Sequence, residues 1–354
     1  MSSLPTVNPI SAVDLFCGVG GLTHGLLKEG IPVNAGVDID PKCQYPYEKN
    51  NRCLFVEEDV AKLPGLEVAS FFPVGHTKIL VGCAPCQPFS TYTRGKKERK
   101  LHKWGLLSAF GRIIREADPD IVSMENVPQL EKEVIFKRFV ARLRSQGYFV
   151  TFSNVDCWTY GVPQTRTRLV LLASKYGQIT LVRPTHSPNR HRTVRRAIGR
   201  LEPIKAGAIS AQDTLHRASA LSSRNLQRIR ASKPGGTWRD WTDDLVADCH
   251  KSATGETYPG VYGRMVWDRP APTITTQCHG FGNGRFGHPE QNRAISLREA
   301  ALLQTFPRRY KFVAPEDRIT FHHLGKLIGN AVPVRLGRII GRTILKHLEA
   351  QCGR

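Results

Sequence analysis

Over the first half of the chain, short apolar runs alternate with amphipathic stretches. Residues 12–16 are an apolar run ending in glycines, and 21–29 carry Leu22, Leu26 and Leu27 at helical spacing. Strands are predicted at 32–38, 54–56, 78–81, 120–124, 149–155 and 168–173. Helices are predicted at 41–50, 106–117 and 134–146, the second of these with Leu107, Phe110, Ile113 and Ile114 on one face. Strands alternating with helices build a mainly parallel sheet covered on both faces, an α/β fold. The alternation stops near Arg183. Residues 183–265 are rich in Arg, Ser, Gly and Pro and have little period; helices return at 297–305 and 333–348. Two domains are expected: a larger one from 1–182 and 323–354, and a smaller, irregular one from 183–322.

At 354 residues, 40% hydrophobic and 23% charged, the chain can bury a sizeable core, and disordered, collagen-like and coiled-coil classes are excluded. No apolar run approaches 18 residues, so no membrane partner is expected, and residues 1–10 lack the pattern of a secretory leader. Charge changes the picture more. Lys and Arg number 51 against 30 Asp and Glu, a net charge of +21. A polyanion such as nucleic acid is the expected partner. The excess is uneven: between Arg183 and Arg239 stand thirteen basic residues against Glu202 and Asp213, and residues 94–103 hold six against Glu98.

Nine irregularly spaced cysteines do not make a disulfide framework. Cys83-Ala84-Pro85-Cys86 is the only close pair and lacks the second pair or histidines of a zinc site, so no metal is expected. A reducing, cytoplasmic setting fits this usage.

Candidate chemistry gathers where strands end. Phe16-Cys17-Gly18-Val19-Gly20-Gly21 follows the first strand and opens a helix, a turn that lets a ligand approach backbone amides. Asp38, at the next strand end, is placed to bind ribose hydroxyls, and Asp59, after the third strand, to accept from an adenine amino group. Gly82 to Ser90 follows the strand at 78–81, so Cys86 reads as a nucleophile, a structural thiol, or half of a redox pair. A redox motif belongs near the start of a small domain, which counts against the last. Glu125 ends a further strand, and a carboxylic acid beside a cysteine suits covalent addition with proton donation to a ring nitrogen. Arg166 and Arg168 alternate along a strand start and so share a face, with Glu125 and a substrate carbonyl as partners.

Phe16-x-Gly18-x-Gly20, Pro85-Cys86-Gln87, Glu125-Asn126-Val127, Gln164-x-Arg166-x-Arg168, Arg269-Pro270-Ala271-Pro272-Thr273 and Gly329-Asn330-Ala331-Val332 occur in this order. In this ordered set the chain resembles the DNA (cytosine-5)-methyltransferase family. The resemblance spans nearly the whole chain, leaving 183 to about 262 without shared motifs, which in the family is the target-recognition region. It implies a Rossmann-like domain dependent on S-adenosylmethionine, with double-stranded DNA as substrate. Cys86 would attack C6 of a flipped-out cytosine, Glu125 hold and protonate N3, Arg168 bind O2 and Arg166 brace the site. Phe16, Gly18, Gly20, Gly21, Asp38, Ile39, Asp59, Val60, Pro85, Leu106, Asn330 and Ala331 match cofactor-binding positions. Ile39 stands where some members carry an aromatic residue, and Asp38 is one methylene shorter than the common glutamate. Gln87, Ser90, Arg94, Lys96, Lys97, Arg239 and Arg264 are expected to contact DNA, phosphate contacts giving affinity and the 183–265 region giving site choice.

The first motif begins thirteen residues into the chain, leaving no room for a large regulatory region, so a compact bacterial or phage-type member is expected. It would be a monomer in the nucleoid, in functional association with a restriction endonuclease. An RNA cytosine methyltransferase is the rival enzyme, disfavoured because Cys-Phe-Thr and Thr-Cys are absent. A non-catalytic DNA-binding protein would not need Cys86, Glu125, Arg166 and Arg168 together. On the methyltransferase reading, Cys83 is largely dispensable.

Overall fold

The computed structural model describes residues 9–85, 97–252 and 255–352. The backbone divides into two compact units, one of 1–156, 167–184 and 332–354 and the other of 157–166 and 185–331. The division thus lies at 184/185 and 331/332, beside the expected 182/183 and 322/323, and 157–166 joins the smaller unit.

The larger unit is built on β1 (Ile10–Leu15), β2 (Val33–Asp38), β3 (Leu54–Glu57), β4 (Thr77–Gly82), β5 (Ile121–Asn126), β6 (Phe149–Asp156) and β7 (Thr167–Ser174). Their order across the sheet is β3-β2-β1-β4-β5-β7-β6. The first five strands are parallel; β7 runs antiparallel to both β5 and β6. The parallel strands read as near-continuous apolar runs because both sheet faces are covered, and every residue of β5 is buried. The chain runs outward from β1 to β3 and then returns to β4 on the other side of β1. Ligands of open α/β sheets bind at such a reversal, outside the carboxyl ends of the strands.

The covering helices are α1 (Gly21–Lys28), α2 (Gln44–Asn51), α3 (Gly65–Ser70), α4 (Lys97–Ala117) and α5 (Val134–Ser145). Leu107, Phe110, Ile113 and Ile114 of α4 are buried against the sheet, as their spacing predicts. The smaller unit holds α6 (Val194–Ile198), α7 (Ser223–Ala231), α8 (Leu297–Leu303) and α9 (Phe321–Asn330). It has no strand among its described residues, only isolated bridges, and a compact core of Ile229, Trp238, Trp241, Phe281 and Ala294. The region without period therefore packs through aromatic side chains in place of a regular apolar face.

The last helix, α10 (Val334–Cys352), returns to the larger unit and crosses α1 backbone to backbone. A Cβ on Gly25 would come within 2.6 Å of the Val334 carbonyl and the Arg338 amide. Glu29 pairs with Arg338 at 2.6 Å and Arg342 at 3.0 Å beside this crossing. Gly25→Ala should lower the stability of the chain by about 2–3 kcal/mol, because close backbones cannot absorb an extra methyl group. Urea unfolding measures it, and an unchanged midpoint would contradict the crossing. Among the described residues no helix is long and apolar enough to cross a membrane.

Candidate active site

In the larger unit the glycine turn after β1 is shaped by backbone geometry. Phe16, Gly18 and Gly20 all have positive φ, at 58°, 51° and 81°. A Cβ on Gly18 would point into open space, so a ligand can lie against the backbone there. Gly20 precedes α1 as its cap and Gly21 is the first helical residue. The Gly18 amide donates to Asp38 Oδ2 at 2.9 Å, and the Asp40 amide to Asp38 Oδ1 at 3.0 Å. Asp38 is thereby held at the end of β2 as a carboxylate, an acceptor-only group of the kind that receives hydroxyl donors. Ile39 beside it is 65% exposed, an apolar surface without a covering group. After β3, Asp59 caps its own turn by accepting from the Ala61 amide at 2.9 Å, and Val60 is buried. Leu106 of α4 is half-buried and Pro85 is exposed. Open backbone, a hydroxyl-accepting carboxylate and an exposed aliphatic side chain on successive strand ends suit a nucleoside.

Beneath this turn lies Asp14, buried at 1% exposure, which sequence reasoning missed. Its carboxylate accepts from Thr23 Oγ1 at 2.7 Å, and that hydroxyl lies 3.1 Å from the Tyr47 hydroxyl, tying β1 to α1 and α2. Burial pushes its pKa from 3.8 up to about 7; the Thr23 bonds oppose the rise and the charge of Asp38 adds to it. The folded state therefore keeps this proton longer than the unfolded chain. Stability should fall as pH rises from about 4 to about 7, by about 4 kcal/mol when the penalty is complete, and level off above. Asp14→Asn removes the titration, so its stability relative to wild type should climb across that window. A difference independent of pH would refute the assignment.

At the carboxyl ends of β4 and β5 the chemistry changes. Gly82 pairs with Met124 in register, so the next residues outward, Cys83 and Glu125, are neighbours. Glu125 is 2% exposed. The Cys83 thiol donates to Glu125 Oε2 at 2.8 Å, while Arg168 Nε forms an ion pair with Oε1 at 2.8 Å. Arg168 reaches this edge because β7 is antiparallel: its first residues lie where β5 ends, and Leu169 pairs with Asn126. The expected Glu125–Arg168 partnership is present. Asn126 donates to the Ala84 carbonyl at 3.1 Å and binds the segment leading toward Cys86 to β5. Cys86, Gln87, Ser90, Arg94 and Lys96 lie outside the described residues, as does the side chain of Lys97. Elsewhere, burial pushes the Cys53 thiol up to about 11 and Cys278 to about 12, and raises Cys17 well above the ordinary thiol value, so these stay protonated at neutral pH.

Arg166 corrects the expected alternation. β7 begins at Thr167, so Arg166 precedes the strand and belongs to the smaller unit, and the argument that it shares a strand face with Arg168 does not apply. It is buried, and its Nη1 donates to the Ile274 carbonyl at 3.1 Å. Gln164, also buried, accepts from the Ile274 amide at 2.9 Å and donates to Gln304 Oε1 at 2.8 Å. Gln304 in turn donates to the carbonyls of Ile328 at 2.8 Å and Ala331 at 3.2 Å. A Cβ on Gly329 would strike the Thr275 backbone at 2.3 Å. Within the smaller unit these bonds clasp the segments around Gln164, Thr273 and Asn330 together; Asn330 is exposed and Ala331 half-buried. Gln304 was not anticipated, although an amide inside an apolar helical run is the signal that marks it.

Arg264, expected on DNA, is instead interior. It is 5% exposed, and its guanidinium donates to the carbonyls of Ile229, Ser232, His288 and Gln291 at 2.7–3.1 Å. Five donors on a planar fork let arginine gather loop carbonyls in this way, and its charge is spent on folding. Arg239 is exposed, its guanidinium 5.6 Å from the Trp238 ring centre, and Trp238 stacks on His250 at 4.5 Å. Arg224 and Arg230 of α7 are exposed as well.

A family model described as C-5 cytosine-specific DNA methylase matches residues 10–346. The chain is 55% identical over 342 residues to Type II methylase M.HgiDII of Herpetosiphon aurantiacus, covering 96% of each. It is 31% identical over 359 residues to Type II methyltransferase M1.BsuMI of Bacillus subtilis strain 168, covering 95% of this chain and 80% of that one. Among solved structures, a prophage-encoded Escherichia coli chain described as a DNA modification methyltransferase shares the fold with a TM-score of 0.72 at 22% identity, covering 96% of this chain and 99% of that one.

Proposed function

The chain belongs to the C-5 cytosine-specific DNA methylase family and is a DNA (cytosine-5)-methyltransferase; from that premise we propose that it methylates C5 of a flipped-out cytosine in a specific duplex sequence, using S-adenosylmethionine and a covalent Cys86–C6 intermediate. The observation that carries the mechanism is the buried Glu125 carboxylate, held by Arg168 in the same unit as the glycine turn and Asp38.

S-adenosylmethionine, when bound, supplies the electrophilic methyl group that an activated C5 accepts. Phe16, Gly18, Gly20 and Gly21 would form its bed, Asp38 hold its ribose, and Ile39, Asp59 and Val60 its adenine; Pro85, Leu106, Asn330 and Ala331 complete the family pattern. Cytosine C5 is a poor nucleophile until the ring loses its aromatic character. The Cys86 thiolate adds to C6, Glu125 delivers a proton to N3, and the ring electrons collect at C5. Arg168 holds O2, and Arg166 braces the segment before β7. After methyl transfer a base removes the C5 proton, the C6–sulfur bond breaks, and N3 returns its proton to Glu125. An unperturbed thiol is only a few per cent thiolate at neutral pH, so the site must favour the anion. Rotating the base out of the stack costs a few kcal/mol, which binding must offset.

Gln87, Ser90, Arg94, Lys96 and Lys97 would meet the DNA beside the flipped base, and Arg239 with the exposed arginines of α7 would read or anchor the duplex from the 183–265 region. We assign the enzyme to a type II modification role, as the relatives' names suggest, acting as a monomer on nucleoid DNA in the cytoplasm alongside a cognate endonuclease. Neutralising about six or more phosphates should weaken DNA binding on the order of a thousandfold between 50 and 200 mM salt; an affinity flat across that range would contradict phosphate contact. The decisive experiment is incubation with duplex oligonucleotides carrying 5-fluorocytosine and S-adenosylmethionine. A denaturation-stable conjugate through Cys86 supports the mechanism. Methylation without any conjugate would overturn it.

A further inference from the structure

The two oxygens of Glu125 are held differently. Oε2 accepts the Cys83 thiol at 2.8 Å. Oε1 lies 2.8 Å from Arg168 Nε but outside hydrogen-bond alignment, and this buried oxygen takes no hydrogen bond among the described residues. A buried carboxylate oxygen without an aligned donor is costly, and it marks the place where a ligand group completes the site. We infer that Cys83 is a positioning residue: by holding Oε2 it fixes the carboxylate plane and leaves Oε1 as the oxygen that exchanges the proton with N3 of the target base. This rests on the reading that Glu125 protonates N3, and deepens it. On this reading Cys83 is not dispensable, contrary to the expectation from the sequence.

Three features make the arrangement work. The register of β4 on β5 puts Cys83 and Glu125 side by side without a loop between them. The bond from Asn126 to the Ala84 carbonyl fixes the backbone next to Cys83, so the thiol is delivered by a constrained segment. The terminal carboxyl torsion of glutamate is broad and needs an external hold to keep one oxygen forward. A thiol is a weak, neutral donor. It orients the carboxylate without competing with Arg168 for its charge and without blocking the protonated form that must donate to the ring.

The test uses the full chain with duplex DNA and saturating S-adenosylmethionine. Cys83→Ala and Cys83→Val, which lack the donor, should each lower kcat roughly tenfold, the worth of one hydrogen bond to a charged group, while KM for DNA stays within about twofold. Cys83→Ser restores a donor and should recover kcat to within about threefold of wild type. Rescue by serine but not by valine separates orientation from packing, because valine fills the volume. The inference is overturned if Cys83→Ala keeps wild-type kcat, if serine is as impaired as valine, or if the whole loss sits in KM. Glu125→Gln is run in parallel: full activity in that variant would sink the role of Glu125 itself, whereas an inactive Glu125→Gln with a fully active Cys83→Ala would sink only the role of Cys83.

Discussion

Cys86→Ser should transfer methyl groups from tritiated S-adenosylmethionine at less than about one thousandth of the wild-type rate, the scale on which enzymes lose kcat when an acting nucleophile is removed. Serine keeps the size and the hydrogen-bonding capacity of the side chain, but its hydroxyl does not ionise near neutral pH. A thiol with an ordinary pKa of about 8.5 needs only modest help to become the attacking anion. DNA binding should survive, because the residues proposed to meet phosphates and the 183–265 region are untouched, and no conjugate should form with 5-fluorocytosine. Methylation by Cys86→Ser at the wild-type rate would remove the nucleophile from its assigned role. The elevated pKa values of Cys17, Cys53 and Cys278 leave those thiols poorly suited to take its place.

Glu125→Gln should lower kcat by about 10²- to 10⁴-fold, the usual worth of a positioned acid or base. The amide can still hydrogen-bond to the ring, but it cannot hand a proton to N3, so addition at C6 would leave negative charge on the base. Stability should fall too: Arg168 loses the partner of an ion pair whose side chains are 14% and 3% exposed, and breaking a buried pair from one side leaves a charge uncompensated. Thermal unfolding separates the two effects, and assays well below the variant's midpoint isolate the chemistry. If Cys86 and Glu125 act on one step, Cys86→Ser combined with Glu125→Gln should be no slower than Cys86→Ser alone. Multiplied losses would mean that the two side chains serve different steps.

Several features were legible before the fold was known. Short apolar runs leading to Gly18, Asp38, Cys83 and Glu125 placed the chemistry at strand ends, since strands of a sheet covered on both faces are mostly apolar and open α/β sheets bind ligands at their carboxyl edge. The apolar face of α4 followed from its period. Arg264 shows the opposite case. A basic residue in a basic stretch reads as a surface charge, and only the enclosing loops reveal that it gathers their carbonyls. The aromatic core around Trp238 and Trp241 has no period because loops, unlike helices and strands, do not repeat their geometry.

The chain's own order of residues determined the α/β class and the ends of most strands, because those depend on apolar runs close in sequence, and its ordered motifs pointed to Glu125 and Arg168. Which way β7 runs beside β5 and which oxygen of Glu125 meets which donor were decided by pairing across 42 residues or more, and where β7 begins by its pairing with β6. Direction and register arise between segments, where one strand's hydrogen bonds select another's, and no local pattern encodes that choice.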